Sequence, residues 1–163
     1  MEDVIRNLGF LCLGSRLKRV GERLQADTQQ IMDEVGVGIA SGQYPLLAAL
    51  DRLGPLSVGD LAEALGVSQP GVTRSLSQLA LLDLVQIQSI PGDQRRKAAS
   101  LSTKGERLIA QAKAEVWPRI ENAVIDLCGG LGGSLLAQLA AIEDGLAERP
   151  LSRRGSDTSG KKP

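Results

Sequence analysis

Two capped helical segments abut across Gly66 and Val67, and this junction constrains the fold more than any other feature of the chain. Ser57 predicts an N-cap, with Asp60 three residues on as the reciprocal acidic partner of a capping box. Val58, Leu61, Ala62 and Leu65 then share one apolar face, and Gly66 supplies a left-handed C-terminal residue. Ser68 caps the next helix and Pro70 is tolerated in its first turn, while Val72, Leu76 and Leu79 recur at helical spacing and face a core. Two helices joined by a glycine-centred turn make a helix-turn-helix. The polar complement of the second helix is Gln69, Gly71, Thr73, Arg74, Ser77 and Gln78, with no large apolar group to block close approach.

Alone, such a face is the ordinary solvated side of a helix. The next segment of the chain carries the functional reading. Val85 and Ile87, then Ala99 and Leu101, alternate as short strands should. Between them Ser89 to Lys97 reads as a turn-rich loop carrying three consecutive cations, Arg95, Arg96 and Lys97. Elsewhere this would be an edge hairpin protected by charge. Directly after a helix-turn-helix it reads as a wing whose cations reach phosphates or a narrow minor groove.

The flanks are helical. Apolar positions from Val4 to Val35 predict one N-terminal helix ended by Gly36 and Gly38, and Ser41 predicts the N-cap of a helix carrying Leu46, Leu47, Leu50 and Leu53 before Gly54-Pro55. Thr103 with Glu106 predicts a second capping box opening a long helix through Leu127, bent by Pro118 after Trp117. Gly129-Gly130 and Gly132-Gly133 precede a last helix with Leu135, Leu136, Leu139, Ile142 and Leu146. From Arg149 onward the near absence of apolar residues predicts a disordered tail.

Composition narrows the chemistry. The 163 residues are 42% apolar but only 2% aromatic, which suits packed helices built on Leu, Ile, Val and Ala. Nineteen Lys and Arg balance nineteen Asp and Glu, so any basic surface is local. It is concentrated between Arg74 and Arg107, where Arg74, Arg95, Arg96, Lys97, Lys104 and Arg107 face only Asp83, Asp93 and Glu106. There is no histidine, which removes the commonest general base and metal ligand. No nucleophile-base, phosphate-loop or metal constellation stands out, so neither an enzyme nor a cofactor or metal site is expected. Asp126 and the Glu143-Asp144 step read as surface carboxylates. Cys12 and Cys128 read as structural thiols, and Trp117 as an anchor for a helix crossing or dimer seam. Neither a signal peptide nor a membrane span is expected, which places the protein in the cytoplasm.

From Gln43 to Gly105 the sequence resembles the MarR family of regulators. The resemblance rests on Gly54-Pro55-Leu56-Ser57-Val58-Gly59-Asp60-Leu61-Ala62, on Gly66-Val67-Ser68-Gln69-Pro70-Gly71-Val72-Thr73-Arg74, and on Asp93-Gln94-Arg95-Arg96-Lys97 followed by Leu101-Ser102-Thr103-Lys104-Gly105. It implies a mainly α winged helix-turn-helix with a small β-hairpin wing. Residues 41–103 would form the DNA-binding lobe, and residues 1–38 and 104–148 the N- and C-terminal dimerisation helices, followed by the tail 149–163. The implied partners are double-stranded DNA and a second copy of the chain. A small-molecule effector would lie between lobe and dimer region, lined by the first helix, the Tyr44 helix and the Trp117 helix. The implied recognition residues are Ser68, Gln69, Gly71, Thr73, Arg74 and Ser77. The wing-tip arginine falls on Arg95, with Asp93 holding it or the neighbouring backbone, and Arg96 and Lys97 fall on variable basic positions.

In a major groove, Gln69 and Arg74 would donate to base edges or phosphates, Gly71 would permit close approach, and Thr73 and Ser77 would meet phosphates or a thymine methyl. One lobe covers too little surface for specific binding, so half-sites about one helical turn (~10 bp) apart are expected. The rival reading is a winged-helix protein-interaction module without DNA binding, against which Arg74 and the basic wing argue.

Overall fold

Cap geometry around Gly66 governs the centre of the molecule. The structure, a computed structural model, describes residues 1–36, 38–90 and 93–154, and the side chains of residues 90 and 93–96 lie outside the description. The described elements are α1 (Val4–Asn7), α2 (Leu13–Glu34), α3 (Tyr44–Leu53), β1 (Leu56–Ser57), α4 (Val58–Leu65), α5 (Gln69–Leu81), β2 (Val85–Ile90), β3 (Asp93–Leu101), α6 (Thr103–Gln111), α7 (Trp117–Cys128) and α8 (Leu135–Glu148). They fall into two compact units, Met1–Glu121 and Asn122–Pro163.

The expected capping box is present. Ser57 Oγ accepts from the Asp60 amide at 3.2 Å and Asp60 Oδ2 accepts from the Ser57 amide at 3.2 Å. At the other end of α4, Gly66 sits at φ 63° and ψ 30°. The Val67 amide can therefore turn back to the Ala62 carbonyl, at 3.0 Å. Ser68 then caps α5 by accepting from the Gly71 amide at 3.4 Å. Leu61 and Ala62 of α4 and Val72, Leu76 and Leu79 of α5 are buried together with Leu46, Leu47 and Leu50 of α3. This core also takes in Met32 of α2 and Ile109 of α6. Residues of α2 and α6 thus belong to the same core as those of α3, α4 and α5.

The hairpin is longer than its sequence suggests, and it has a third partner. β2 and β3 pair antiparallel from Val85↔Leu101 through Ser89↔Lys97 to Ile90↔Asp93, so most of the stretch expected to be a loop is strand. Two-residue periodicity is hard to see there because, beyond the core, neither face has an apolar side to show. β1 is an addition to the expected elements. Its two residues pair as Leu56↔Ala99 and Ser57↔Ala98, giving the order β1-β3-β2.

Several expected boundaries move. The single N-terminal helix is interrupted: a 3-10 turn, Gly9–Cys12, separates α1 from α2, with Gly9 at φ 57°. Asp3 caps α1 and also takes a bidentate ion pair from Arg19, at 3.0 Å for both contacts, which holds its carboxyl below the usual carboxylate range. Ser41 does not cap α3. It opens a 3-10 turn, Ser41–Gln43, and its hydroxyl donates to the Gln25 carbonyl of α2 at 3.1 Å. The cap of α6 is Ser102 rather than Thr103. The disruption expected after Trp117 lies before it, as a π-helical turn over Ala112–Val116. Pro118 has no N–H and its ring crowds the preceding turn, so a widened turn just upstream accommodates it.

In the second unit, Ser134 caps α8 as its side chain accepts from the Ala137 amide at 3.3 Å. Beyond α8, Leu151–Arg153 form a 3-10 turn, and Arg154 donates to the Arg149 and Gly145 carbonyls, so the segment expected to be disordered begins with local structure. Residues 155–163 lie outside the described residues.

Among the described glycines, Gly105 has the least room for a side chain. A Cβ there would sit 2.1 Å from the Leu84 carbonyl oxygen, a backbone atom with nowhere to go. We expect Gly105→Ala to cost about 3 kcal/mol or more through overpacking, read as a lower urea midpoint at unchanged m-value. A midpoint within error of the parent would show that α6 and the Leu84 turn can separate at little cost.

Candidate nucleic-acid interface

The first turn of α5 and the face continuing from it are built by the cap at Ser68. With Val72, Leu76 and Leu79 buried, geometry sends Pro70, Arg74 and Ser77 to the opposite side, flanked by Thr73 on one edge and by Gly71 and Gln78 on the other. Ser68, Gln69, Gly71, Thr73, Arg74 and Ser77 are all exposed, so the structure brings every expected α5 residue onto the solvent side of one helix. Among the described residues Arg74 has no hydrogen bond or ion pair, leaving its guanidinium available as a fork of donors.

The hydroxyls behave differently from expectation. Thr73 Oγ1 donates to the Gln69 carbonyl at 3.0 Å, and Ser77 Oγ donates to the Thr73 carbonyl at 2.9 Å. A hydroxyl has one proton, so in these rotamers each can only accept, and a phosphate oxygen offers nothing to accept. Gln69 leans over the start of α4, with its Nε2 3.8 Å from where a Cβ on Gly59 would stand. Gly59 therefore lies beside the exposed face of α5, a placement its position in the sequence does not announce.

At the base of the hairpin, α5 ends in a left-handed residue that is not glycine. Asp83 has φ 57°, and the Leu84 amide returns to the Leu79 carbonyl at 2.9 Å. Three groups from the α6 cap hold this turn. Ser102 Oγ donates to the Asp83 carbonyl at 2.6 Å, the Ser102 amide to the Leu84 carbonyl at 3.0 Å, and Lys104 Nζ to the Leu82 carbonyl at 2.8 Å. Lys104 thus has a structural engagement that its place in the basic segment does not signal. Lys97 is exposed on β3 opposite Ser89. Asp93, Arg95 and Arg96 lie outside the described side chains, although their backbone belongs to β3.

The neighbourhood expected to hold an effector is partly filled. Tyr44 and Trp117 meet edge to face with centroids 6.5 Å apart, and Lys113 lies 5.9 Å above the Trp117 ring while pairing with Asp51 at 2.6 Å. The Tyr44 hydroxyl is buried and has no hydrogen-bond partner among the described residues. Burial pushes its pKa upward, so at neutral pH it is a protonated donor. Cys12 and Cys128 are partly buried free thiols. Among the described residues there is no cluster of three metal-ligating side chains, and no helix is long and apolar enough to cross a membrane.

Comparison with known proteins agrees with this geometry. A family model described as MarR family matches residues 36–96. The HTH-type transcriptional regulator FarR of Neisseria gonorrhoeae is 31% identical over 129 residues, covering 77% of this chain and 86% of FarR. The chain belongs to the MarR family. Among solved structures, a cysteine-to-serine mutant of MarR from E. coli complexed with operator DNA matches this MarR-family chain with a TM-score of 0.70 at 19% identity, covering 89% of this chain and 99% of that one. PcaV from Streptomyces coelicolor, in complex with its natural ligand, matches with a TM-score of 0.68 at 21% identity, covering 91% and 99%. These likenesses place the mainly helical fold and its three-stranded sheet among winged helix-turn-helix proteins, and the family and its structural neighbours are transcriptional regulators.

Because the Thr73 proton is already used within α5, Thr73→Val keeps the methyl and removes little. DNA affinity, measured by fluorescence anisotropy, should stay within about twofold of the parent, whereas Ser68→Ala should cost about 1 kcal/mol of stability through the lost cap.

Proposed function

We propose that this chain is a cytoplasmic, sequence-specific DNA-binding transcription regulator. It acts as a homodimer on a pseudo-palindromic operator, as a repressor relieved by a small-molecule effector. The observation that carries the proposal is the exposed polar face of α5. Ser68, Gln69, Gly71, Thr73, Arg74 and Ser77 are solvent-facing, and Arg74 is not engaged by any described side chain. A groove-reading helix needs this arrangement, and the basic hairpin that follows it in the chain is what sets it apart from the ordinary solvated side of a helix. The operator DNA bound to E. coli MarR and the natural ligand bound to PcaV lend support by kinship of fold.

Dimer formation is supported by apolar surface that the monomer leaves in water. Phe10 is 92% and Leu11 82% exposed in the first unit, and Leu127 is 65% and Leu136 79% exposed in the second. Apolar surface of this extent, in segments flanking the lobe, fits association of copies of the chain. In this proposal residues 41–103 form the DNA-binding lobe, and residues 1–38 and 104–148 the dimerising part. The wing contributes Lys97 and, from sequence, Arg95 and Arg96, with Asp93 positioning the tip.

Selection of bound sequences from a random duplex pool tests the proposal. An enriched inverted repeat with half-sites about 10 bp apart is expected. Absence of any enrichment at low salt would instead favour a protein-interaction module. On the selected duplex, Arg95→Ala should weaken binding nearly uniformly across sequences and reduce the slope of log K against log salt by about one per subunit. A changed sequence preference with an unchanged slope would contradict the phosphate role of Arg95.

A further inference from the structure

The amide of Gln78 has its polarity set by a chain of hydrogen bonds that begins outside the reading helix. Gln43 is only 8% exposed and closes the 3-10 turn ahead of α3. Its Oε1 accepts from the Ala40 amide at 3.3 Å, and a backbone N–H can only donate. This fixes which end of the Gln43 carboxamide is oxygen. Its Nε2, necessarily a donor, lies 2.7 Å from Gln78 Oε1. Gln78 must therefore turn its oxygen inward and its NH2 away from Gln43, and no described residue accepts from that NH2. The turn itself is anchored to α2, through the Ser41 amide donating to Gln29 Oε1 at 2.7 Å and Gln29 Nε2 donating to the Ile39 carbonyl at 3.3 Å.

Gln78 lies four residues after Arg74 and seven after Gly71, on one stripe of α5, and it is exposed. An ordinary surface glutamine rotates and offers either end. This one offers donors alone.

We propose that Gln78 is a DNA-contacting residue that acts only as a donor, with Gln43 as the positioning residue that imposes this polarity. It rests on the regulator reading above. Its targets are acceptors, either phosphate oxygens or the N7 and O6 edges of purines, and it rejects the exocyclic amino groups of adenine and cytosine, which are donors.

The test uses the full chain and the duplex selected by the parent from a random pool. Gln78→Ala should lower affinity about fivefold per half-site, the scale of one hydrogen bond. Gln78→Glu should lower it further, because the carboxylate accepts from Gln43 and turns a second acceptor toward the DNA. Gln43→Glu accepts from the Ala40 amide and then from a flipped Gln78, which now exposes its oxygen, so it should match Gln78→Ala without adding to it in the double variant. Duplexes with 7-deazapurines or with methylphosphonates at single positions distinguish the two acceptor sources. One of these substitutions should weaken the parent, while Gln78→Ala and Gln43→Glu show no further loss. A merely structural role for Gln43 would not produce that insensitivity. Failure of the parent to enrich any duplex would sink the regulator reading together with this one. Enrichment combined with parent-like binding by Gln78→Ala and Gln78→Glu, or with additive losses for Gln43→Glu and Gln78→Ala, would overturn this inference alone.

Discussion

Between the end of α5 and the first turn of α6 the backbone leaves no room for a side chain at residue 105. The Leu84 carbonyl lies where a side chain at residue 105 would have to go, and glycine is the one residue that leaves the space. Ser102 then bridges the gap, accepting from the Gly105 amide at 3.0 Å and donating to the Asp83 carbonyl at 2.6 Å. Buried polar groups are tolerable only when satisfied, and Ser102, 4% exposed, satisfies its own hydroxyl and two neighbours at once. This junction fixes where α5 stops, where β2 starts and how β3 returns. α5 and the hairpin therefore share one hydrogen-bonded base.

The same economy explains the ending of α5. Asp83 adopts a left-handed conformation that most residues avoid, at a cost on the order of 1 kcal/mol. Hydrogen bonds from Ser102 and Lys104 to the Asp83 and Leu82 carbonyls hold it there. Functionally, this keeps α5 from running on through Leu82 and commits the chain to turn into the sheet. The two halves of the proposed DNA-binding surface, helix face and hairpin, are thus related by one backbone bond, Ser102 to Leu84, and by the side chains of Ser102 and Lys104 on the Asp83 and Leu82 carbonyls.

Much of this is legible in the sequence because local rules and tertiary packing agree. Ser57, Asp60, Gly66 and Ser68 do in the structure what their chemistry predicts, and Val72, Leu76 and Leu79 are buried as their spacing requires. Departures cluster where a residue's choice is made by a distant partner. Ser41 gives its hydroxyl to the Gln25 carbonyl instead of capping α3, and Ser102 displaces Thr103 as a cap because it also reaches Asp83. β1 is two residues long, too short for any periodicity to show, and exists because β3 has a free edge beside it.

By itself the sequence determined the succession of α3, α4, α5 and the hairpin, the apolar faces of α4 and α5, and the identities of the side chains presented outward, because caps and helical spacing act over three or four residues. Local i to i−4 bonds settle the Thr73 and Ser77 hydroxyls, but tertiary structure alone decided the orientation of the Gln78 amide. Which end of the Gln78 amide points outward depends on a partner far away along the chain. Gln43 and Gln78 are 35 residues apart, and only folding brings their amides within 2.7 Å.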